Sequence, residues 1–181
     1  MTMGIRAVAA VLLAVAPFVV GSAVAQERFK VQYNHVGQAS KYLAQQAYDV
    51  GDQPGHQVRI YKVLRTFSEE STFVIRGVRV KSSETNGYSD YTNGIGPVWG
   101  YEVWTMDDGG KVFLTYTGST FSEPTETGAR RGIATSGGRI TGGTGAWKSL
   151  RGVMHSVSKF DSDPQKGYSQ ADNKGEYWFD E

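Results

Sequence analysis

From residue 56 onward, hydrophobic and polar positions mostly alternate, which is the period of a half-buried β-strand. The run 56–67 keeps the alternation longest, and Ser68-Glu-Glu-Ser71 turns it back into a second run, 72–81. Segments 98–106 and 111–118 form the clearest hairpin, joined by Asp107-Asp-Gly-Gly110. Shorter runs predict strands over 29–36, 153–160 and 174–180, with a weak one around 86–92. The stretch 121–138 is polar and reads as a long irregular crossing. Only 40–50 departs from period two. There Tyr42, Leu43, Ala47 and Val50 fall near one face of a helix, and a plain connecting loop is the alternative.

These runs amount to roughly eight strands at hairpin spacing, the pattern of an antiparallel barrel or sandwich. A closed barrel removes exposed sheet edges and has room for a small molecule, so the expectation is an all-β, eight-stranded antiparallel β-barrel. No repeat or linker divides the chain, and 26–181 is read as a single domain.

The first residues follow a different rule. Arg6 precedes an apolar run, 7–20, and Ala23-Val24-Ala25 closes it as an A-x-A site. A basic start, a short apolar core and small residues at the end describe a secretory signal peptide over 1–25. The apolar run is too short and wrongly flanked for a membrane span, so a periplasmic or secreted product with no span after cleavage is expected. The chain has no cysteine, so the domain must hold together through core and sheet alone. Removing Arg6 takes the formal net charge from +1 to about 0. That balance gives no electrostatic case for nucleic acid or for an anionic membrane surface.

The densest passage is 140–152. Gly142, Gly143, Gly145 and Gly152 surround Trp147 and Arg151, the composition of a fixed corner in a β structure. The arrangement Gly-Gly-Thr-Gly (142–145), five residues, then Arg151-Gly152 resembles a signature of plant dirigent proteins. The allene oxide cyclases carry a looser Gly-Gly-Ser-Gly version. Upstream, Tyr116-Thr-Gly-Ser-Thr-Phe121 is similar to a dirigent segment ending in Gly-Ser-Ser/Thr-Leu. The resemblance covers 116–160, and the first half of the chain matches only in strand pattern. It implies an eight-stranded barrel of the allene oxide cyclase/dirigent type, a homotrimer or homodimer, with no cofactor. It further implies closure or steered coupling of a small apolar or phenolic molecule, by confinement and a few polar groups. The acidic residue that dirigent proteins carry shortly before the glycines has no counterpart here, where Gly137-Gly138-Arg139 stands.

The resemblance associates Arg151 with the substrate cavity, where a guanidinium would stabilise charge developing on an enolate, phenolate or carboxylate. The alternative is an Arg that ties the glycine corner to neighbouring carbonyls. His155, four residues on along the same strand face, is either a proton relay or an exposed ring. Glu102, inside Tyr101-Glu-Val-Trp104, is a usable acid or base if it faces a cavity with Trp104. It is a solvated charge if Tyr101 and Val103 face inward. Arg59, Tyr61, Arg65 and Phe67 share one face, lining a polar cavity or forming the outer face of an oligomer. Tyr88, Tyr91, Trp99, Tyr101 and Tyr116 make the middle of the chain aromatic, which suits planar ligands and barrel filling equally. The candidate catalytic set is therefore Arg151, Glu102 and Tyr116, with Tyr61, Tyr101, Trp104, Trp147 and His155 as candidate substrate contacts.

Several chemistries lack their residues. The three histidines, His35, His56 and His155, do not fall at metal-ligand spacing, and no metal site is expected. Asp161-x-Asp163 with Gly167 lacks the other ligands of a calcium loop. No Gly-Lys-Ser/Thr follows the glycines, and no Gly-x-Ser-x-Gly is present. Three readings remain: a cofactor-free cyclase or isomerase with dirigent-like steering, a ligand-carrying barrel, or an interaction module.

Overall fold

The computed structural model describes residues 26–36, 40–69, 72–124, 130–161 and 169–181. The expected signal peptide lies outside them, as do 125–129 and most of the loop containing Asp163 and Gly167. Ten strands form: β1 Phe29–Val36, β2 Ser40–Asp49, β3 His56–Thr66, β4 Val74–Ile75, β5 Val78–Thr92, β6 Gly96–Met106, β7 Lys111–Pro124, β8 Arg130–Gly143, β9 Leu150–Asp161 and β10 Ser169–Phe179. The sheet runs β1-β10-β9-β8-β7-β6-β5-β3-β2, with β4 paired to β5 off that path, and every pairing is antiparallel. Among the described residues no helix is long and apolar enough to cross a membrane.

The all-β antiparallel architecture matches the pattern of the sequence, but the strand count and closure do not. β1 and β2 end the path without pairing to one another. Leaving out β2 and the two-residue β4, the remaining strands number eight, so β2 is the addition to the expected set. Four apolar residues on one helical face predict a helix over 40–50, with a loop as the alternative. The segment is a strand because the backbone groups of β3 along that edge take it as a partner, and none of its apolar side chains needs a core. Tyr42, Leu43, Tyr48 and Val50 are all exposed. The run 72–81 is broken by a tight turn at Arg76-Gly77, where both residues have positive φ. The weak strand at 86–92 is the second half of the 15-residue β5. The expected irregular crossing, 121–138, is mostly strand, the end of β7 and the start of β8.

One face of the sheet is the inside. Alternation sends Val98, Gly100, Glu102, Trp104 and Met106 of β6 inward, and Trp99 and Tyr101 outward. The sheet curls far enough for Tyr33 of β1 to stack on Phe73, which meets Trp104 of β6 edge-on at 4.9 Å. Val80, Trp104, Met106, Val112, Leu114, Ile140, Leu150 and Tyr177 fill one end of this interior. Towards the other end the inner face carries small and polar side chains, among them Ser89, Thr120, Ser136 and Ser156. The molecule is thus plugged at one end by its core and lined with polar groups at the other.

The glycine corner belongs to the plugged end. Gly142 has a φ of 140°, and a Cβ there would press on the Lys148 carbonyl. Trp147 is 3% exposed, donates its indole N–H to Asp108 at 3.1 Å, and packs beside Phe179. The Thr144 hydroxyl accepts from the Lys111 amide at 2.9 Å. The corner therefore locks the turn between β8 and β9 onto the β6–β7 hairpin.

At the opposite end, His56 is held between two carboxylates, Nδ1 to Asp52 at 2.6 Å and Nε2 to Asp90 at 2.7 Å. Both ring nitrogens face acceptors, so the doubly protonated ring fits the site. The Asp90 hydrogen bond, then that of Asp52, raises the His56 pKa above its ordinary value. The clamp contributes fully below about pH 6.5 and is lost as pH rises through the higher folded-state value. An NMR titration of the ring is expected to show that elevation in the wild type. In Asp90→Asn the ring should titrate at lower pH, and the stability it adds should vanish at a correspondingly lower pH.

Truncation of Trp147 to Ala is expected to cost about 3–5 kcal/mol in urea unfolding. Lys159→Ala, on the exposed outer face of β9, should stay within about 0.5 kcal/mol.

Candidate functional site

Register places four glycines in one row across the inner face. Tyr61 on β3 stands opposite Gly87, Gly87 opposite Gly100, Gly100 opposite Tyr116, Tyr116 opposite Gly138, Gly138 opposite Met154, and Met154 opposite Gly175. Tyr61 and Tyr116 sit on β3 and β7, with β5 and β6 between them. Their rings lie over the bare backbone at Gly87 and Gly100, where a Cβ would run into the Tyr61 ring or the Tyr116 hydroxyl. The two hydroxyls meet at 3.1 Å.

The next row towards the core holds the charges. Val63 pairs with Thr85, Thr85 with Glu102, and Glu102 with Leu114. Arg65 bends back into this row, donating from Nη1 to the Thr85 hydroxyl at 2.8 Å. Glu102 accepts from the Trp104 indole N–H at 2.9 Å, which fixes its carboxylate beside the core. Arg59 stands one row beyond Tyr61 on the other side, its guanidinium 5.9 Å from the Tyr61 ring centre. Neither Arg59 nor Arg65 has a carboxylate within 4 Å among the described residues.

The phenols in this cleft resist ionisation. Desolvation pushes the Tyr61 hydroxyl up to about 12, although its bond to Tyr116 and the charge of Arg65 pull the other way. Desolvation raises Tyr116 further, with Tyr61 and then Glu102 adding to the effect. Tyr33 is raised by desolvation and by Glu102, against Arg65. Tyr91, bonded to the Thr120 hydroxyl at 2.7 Å, is raised by desolvation as well. At neutral pH these are uncharged donors and acceptors. Glu102, the guanidinium of Arg65 and the neutral phenols can together hold a small polar group, take up a proton and support charge on an oxygen.

The structure thus brings together Glu102, Tyr116, Tyr61 and Trp104 of the candidate set. It separates the others. Arg151 does not reach the inner face: it donates to the Lys148 and Leu150 carbonyls at 3.0 and 2.9 Å and pairs with Asp180 at 2.8 Å. Its flanking residues Leu150 and Gly152 take the inward positions, so alternation turns Arg151 out. His155 follows it onto the exposed outer side. Tyr101 is 60% exposed on the outer face, because Glu102 takes the inward place on β6. Trp147 is sealed in the core beneath the corner. Gly142, Gly143 and Gly145 do form the corner, and Gly152 lies in the inner row between Ile140 and Tyr177.

Four residues of the site were not singled out from sequence. Tyr33 gave no signal, since nothing in the chain says that β1 returns to face β6. Thr85 and the Gly87/Gly100 pair become meaningful only with the β5–β6 register. Among the described residues, no group of three or more His, Cys, Asp or Glu is placed to hold a metal ion.

No family model matches the chain, and no curated protein does. Among solved structures it is similar to a pterocarpan synthase dirigent protein, at 15% identity over 93% of this chain and 100% of that one, with a TM-score of 0.44. At that level the likeness says nothing about activity.

The raised phenols have a measurable consequence. Because the folded state holds their protons more tightly than the unfolded chain, stability falls as pH rises above about 10. Alkaline titration followed at the tyrosinate absorbance should leave these tyrosines un-ionised in the native protein. They should appear in one step with unfolding, and in Gly87→Val at lower pH.

Proposed function

We propose that the mature chain holds a small planar molecule, apolar or phenolic, on the inner face of its curled sheet and orients it there. The observation that carries this is the Tyr61–Tyr116 hydroxyl pair, set over two glycines and flanked by Glu102 and Arg65. A face built only for packing has no reason to set two adjacent glycines under a pair of phenols. Glu102 would take or return a proton at a ligand hydroxyl. Arg65 and a phenolic O–H would support the oxygen as it becomes negative. Those roles suit a cofactor-free cyclisation, isomerisation or steered coupling. Without turnover they suit a carrier that binds the same ligand.

The reading extends to place and assembly. Residues 1–25 carry the marks of a secretory leader, so the site would work in the periplasm or outside the cell. On the outer face, Ile60, Tyr88, Trp99, Tyr101 and Phe113 are exposed over β3, β5, β6 and β7, with Tyr88 and Trp99 stacked at 5.9 Å. Such a patch favours a homodimer or homotrimer.

Native mass spectrometry of the mature protein, purified under mild conditions and then offered p-cresol, tests both parts. A dimer or trimer carrying a retained or added small molecule is expected. Tyr116→Phe should weaken p-cresol uptake about threefold to tenfold, the worth of one hydrogen bond. An empty species that takes up no phenol, with Tyr116→Phe indistinguishable from wild type, would leave only the interaction module.

A further inference from the structure

The inner cleft holds donors that are not committed to an acceptor. The Tyr61–Tyr116 pair shares one hydrogen bond, which commits one of the two phenolic protons and leaves the other to find an acceptor. Arg65 uses a single N–H on Thr85 and keeps the rest of its fork. Arg59 lies over Tyr61 with no carboxylate within 4 Å among the described residues. Elsewhere Arg28 pairs with Glu176, Lys62 with Glu84, Arg79 with Glu69 and Asp107, and Arg151 with Asp180. Arg59 and Arg65 stand together on β3, and both face the cleft. The opposing charge there is Glu102. It shares the Thr85 row with the Arg65 guanidinium, so it offsets Arg65 and leaves Arg59 uncompensated.

Resting on the ligand-holding reading above, we infer that the cleft selects an aromatic carboxylate. Its anionic group would be held by Arg59 at the polar end, and its para hydroxyl would lie against the Tyr61–Tyr116 pair and Glu102. The rows of Arg59 and Glu102 lie two steps apart on the inner face, with the tyrosine row between them. Each step is two residues of strand, ~7 Å. A guanidinium offers the carboxylate two parallel N–H groups, which a lone ammonium does not. A neutral ligand of the same shape would leave Arg59 desolvated without a partner. The cleft therefore discriminates between two ligands that differ only in that group.

Calorimetric titration with p-hydroxybenzoate and with p-hydroxybenzyl alcohol tests this directly. The carboxylate is expected to bind about tenfold more tightly than the alcohol, a difference that shrinks with added salt. Arg59→Gln should bring the ratio of the two affinities to about one, and Arg59→Lys should restore part of the preference. Circular dichroism and the urea midpoint of each variant establish that it is folded, and Arg59→Lys serves as a second test if Arg59→Gln is not. Equal binding of the two probes, or a preference undiminished in a folded Arg59 variant, overturns the carboxylate assignment while the ligand-holding reading stands. Binding of neither probe overturns both.

Discussion

The hydroxyls of Tyr61 and Tyr116 meet across two intervening strands, and most of what distinguishes this interior follows from that contact. Neighbouring strands lie ~4.8 Å apart, so β3 and β7 are separated by about 14 Å along the sheet. Two tyrosine side chains bridge that distance only if both lie flat over β5 and β6 and the sheet curves beneath them. Lying flat requires that nothing project from the strands they cross. Gly87 and Gly100 meet that condition, and they stand directly opposite one another in register. Glycine in a strand interior is disfavoured by entropy and offers no side chain to pack. The row is therefore a local cost, one that the packed end of the molecule offsets.

That division of labour runs along every long strand. On β6, Trp104 and Met106 belong to the core, Glu102 to the boundary, and Gly100 and Val98 to the cleft. On β5, Val80 packs in the core while Thr85 and Gly87 face the polar rows. The indole N–H of Trp104 reaches Glu102, so the largest fully buried side chain also orients the carboxylate. The glycine corner, Trp147 and Arg151 strengthen the same packed end from outside. Arg151 satisfies carbonyls and Asp180 there. Without a disulfide, this end must supply the rigidity that holds the polar rows in place.

How much of this was legible follows from which signals are local. Alternation is local, and it placed β3, β6 and β7 closely. The corner at 142–145 was legible for the same reason, since its glycines and Trp147 act within a few residues. Asn93-Gly94, with both residues at positive φ, marks the β5–β6 hairpin by the strongest short-range signal a chain can carry. It explains why the weak strand at 86–92 is a full one. Alternation does not say which face is inside, and so Glu102 and Tyr101 stayed interchangeable until the curl of the sheet was known. Arg151 was displaced for a related reason: its motif fixes a corner, and the corner's distance from the cleft depends on pairings between strands remote in sequence. β2 was missed because its apolar residues mimic a helical stripe. Its partner is a backbone edge, and an edge leaves no mark in a sequence.

The end of the strand path shows why the expected closure is absent. Eight antiparallel pairings join nine strands, so β1 and β2 run in the same direction. Edges related in that way cannot continue an antiparallel ladder. β1 has the right direction to pair with β3, but β2 already occupies that edge. The seam is bridged by side chains instead, Tyr33 stacked on Phe73 at 3.7 Å. A groove of about 700 Å³ runs along it between β1 and residues 72–74. The aromatic stack does for the interior what a ladder would have done: it brings β1 against the segment that caps Trp104. Tyr33 consequently senses both Glu102 and Arg65, from a strand five places from β6 and seven from β3 on the path. The charges of the cleft and the seam of the sheet therefore meet at Tyr33, whose ring carries the aromatic stack and whose hydroxyl lies within the influence of both charges.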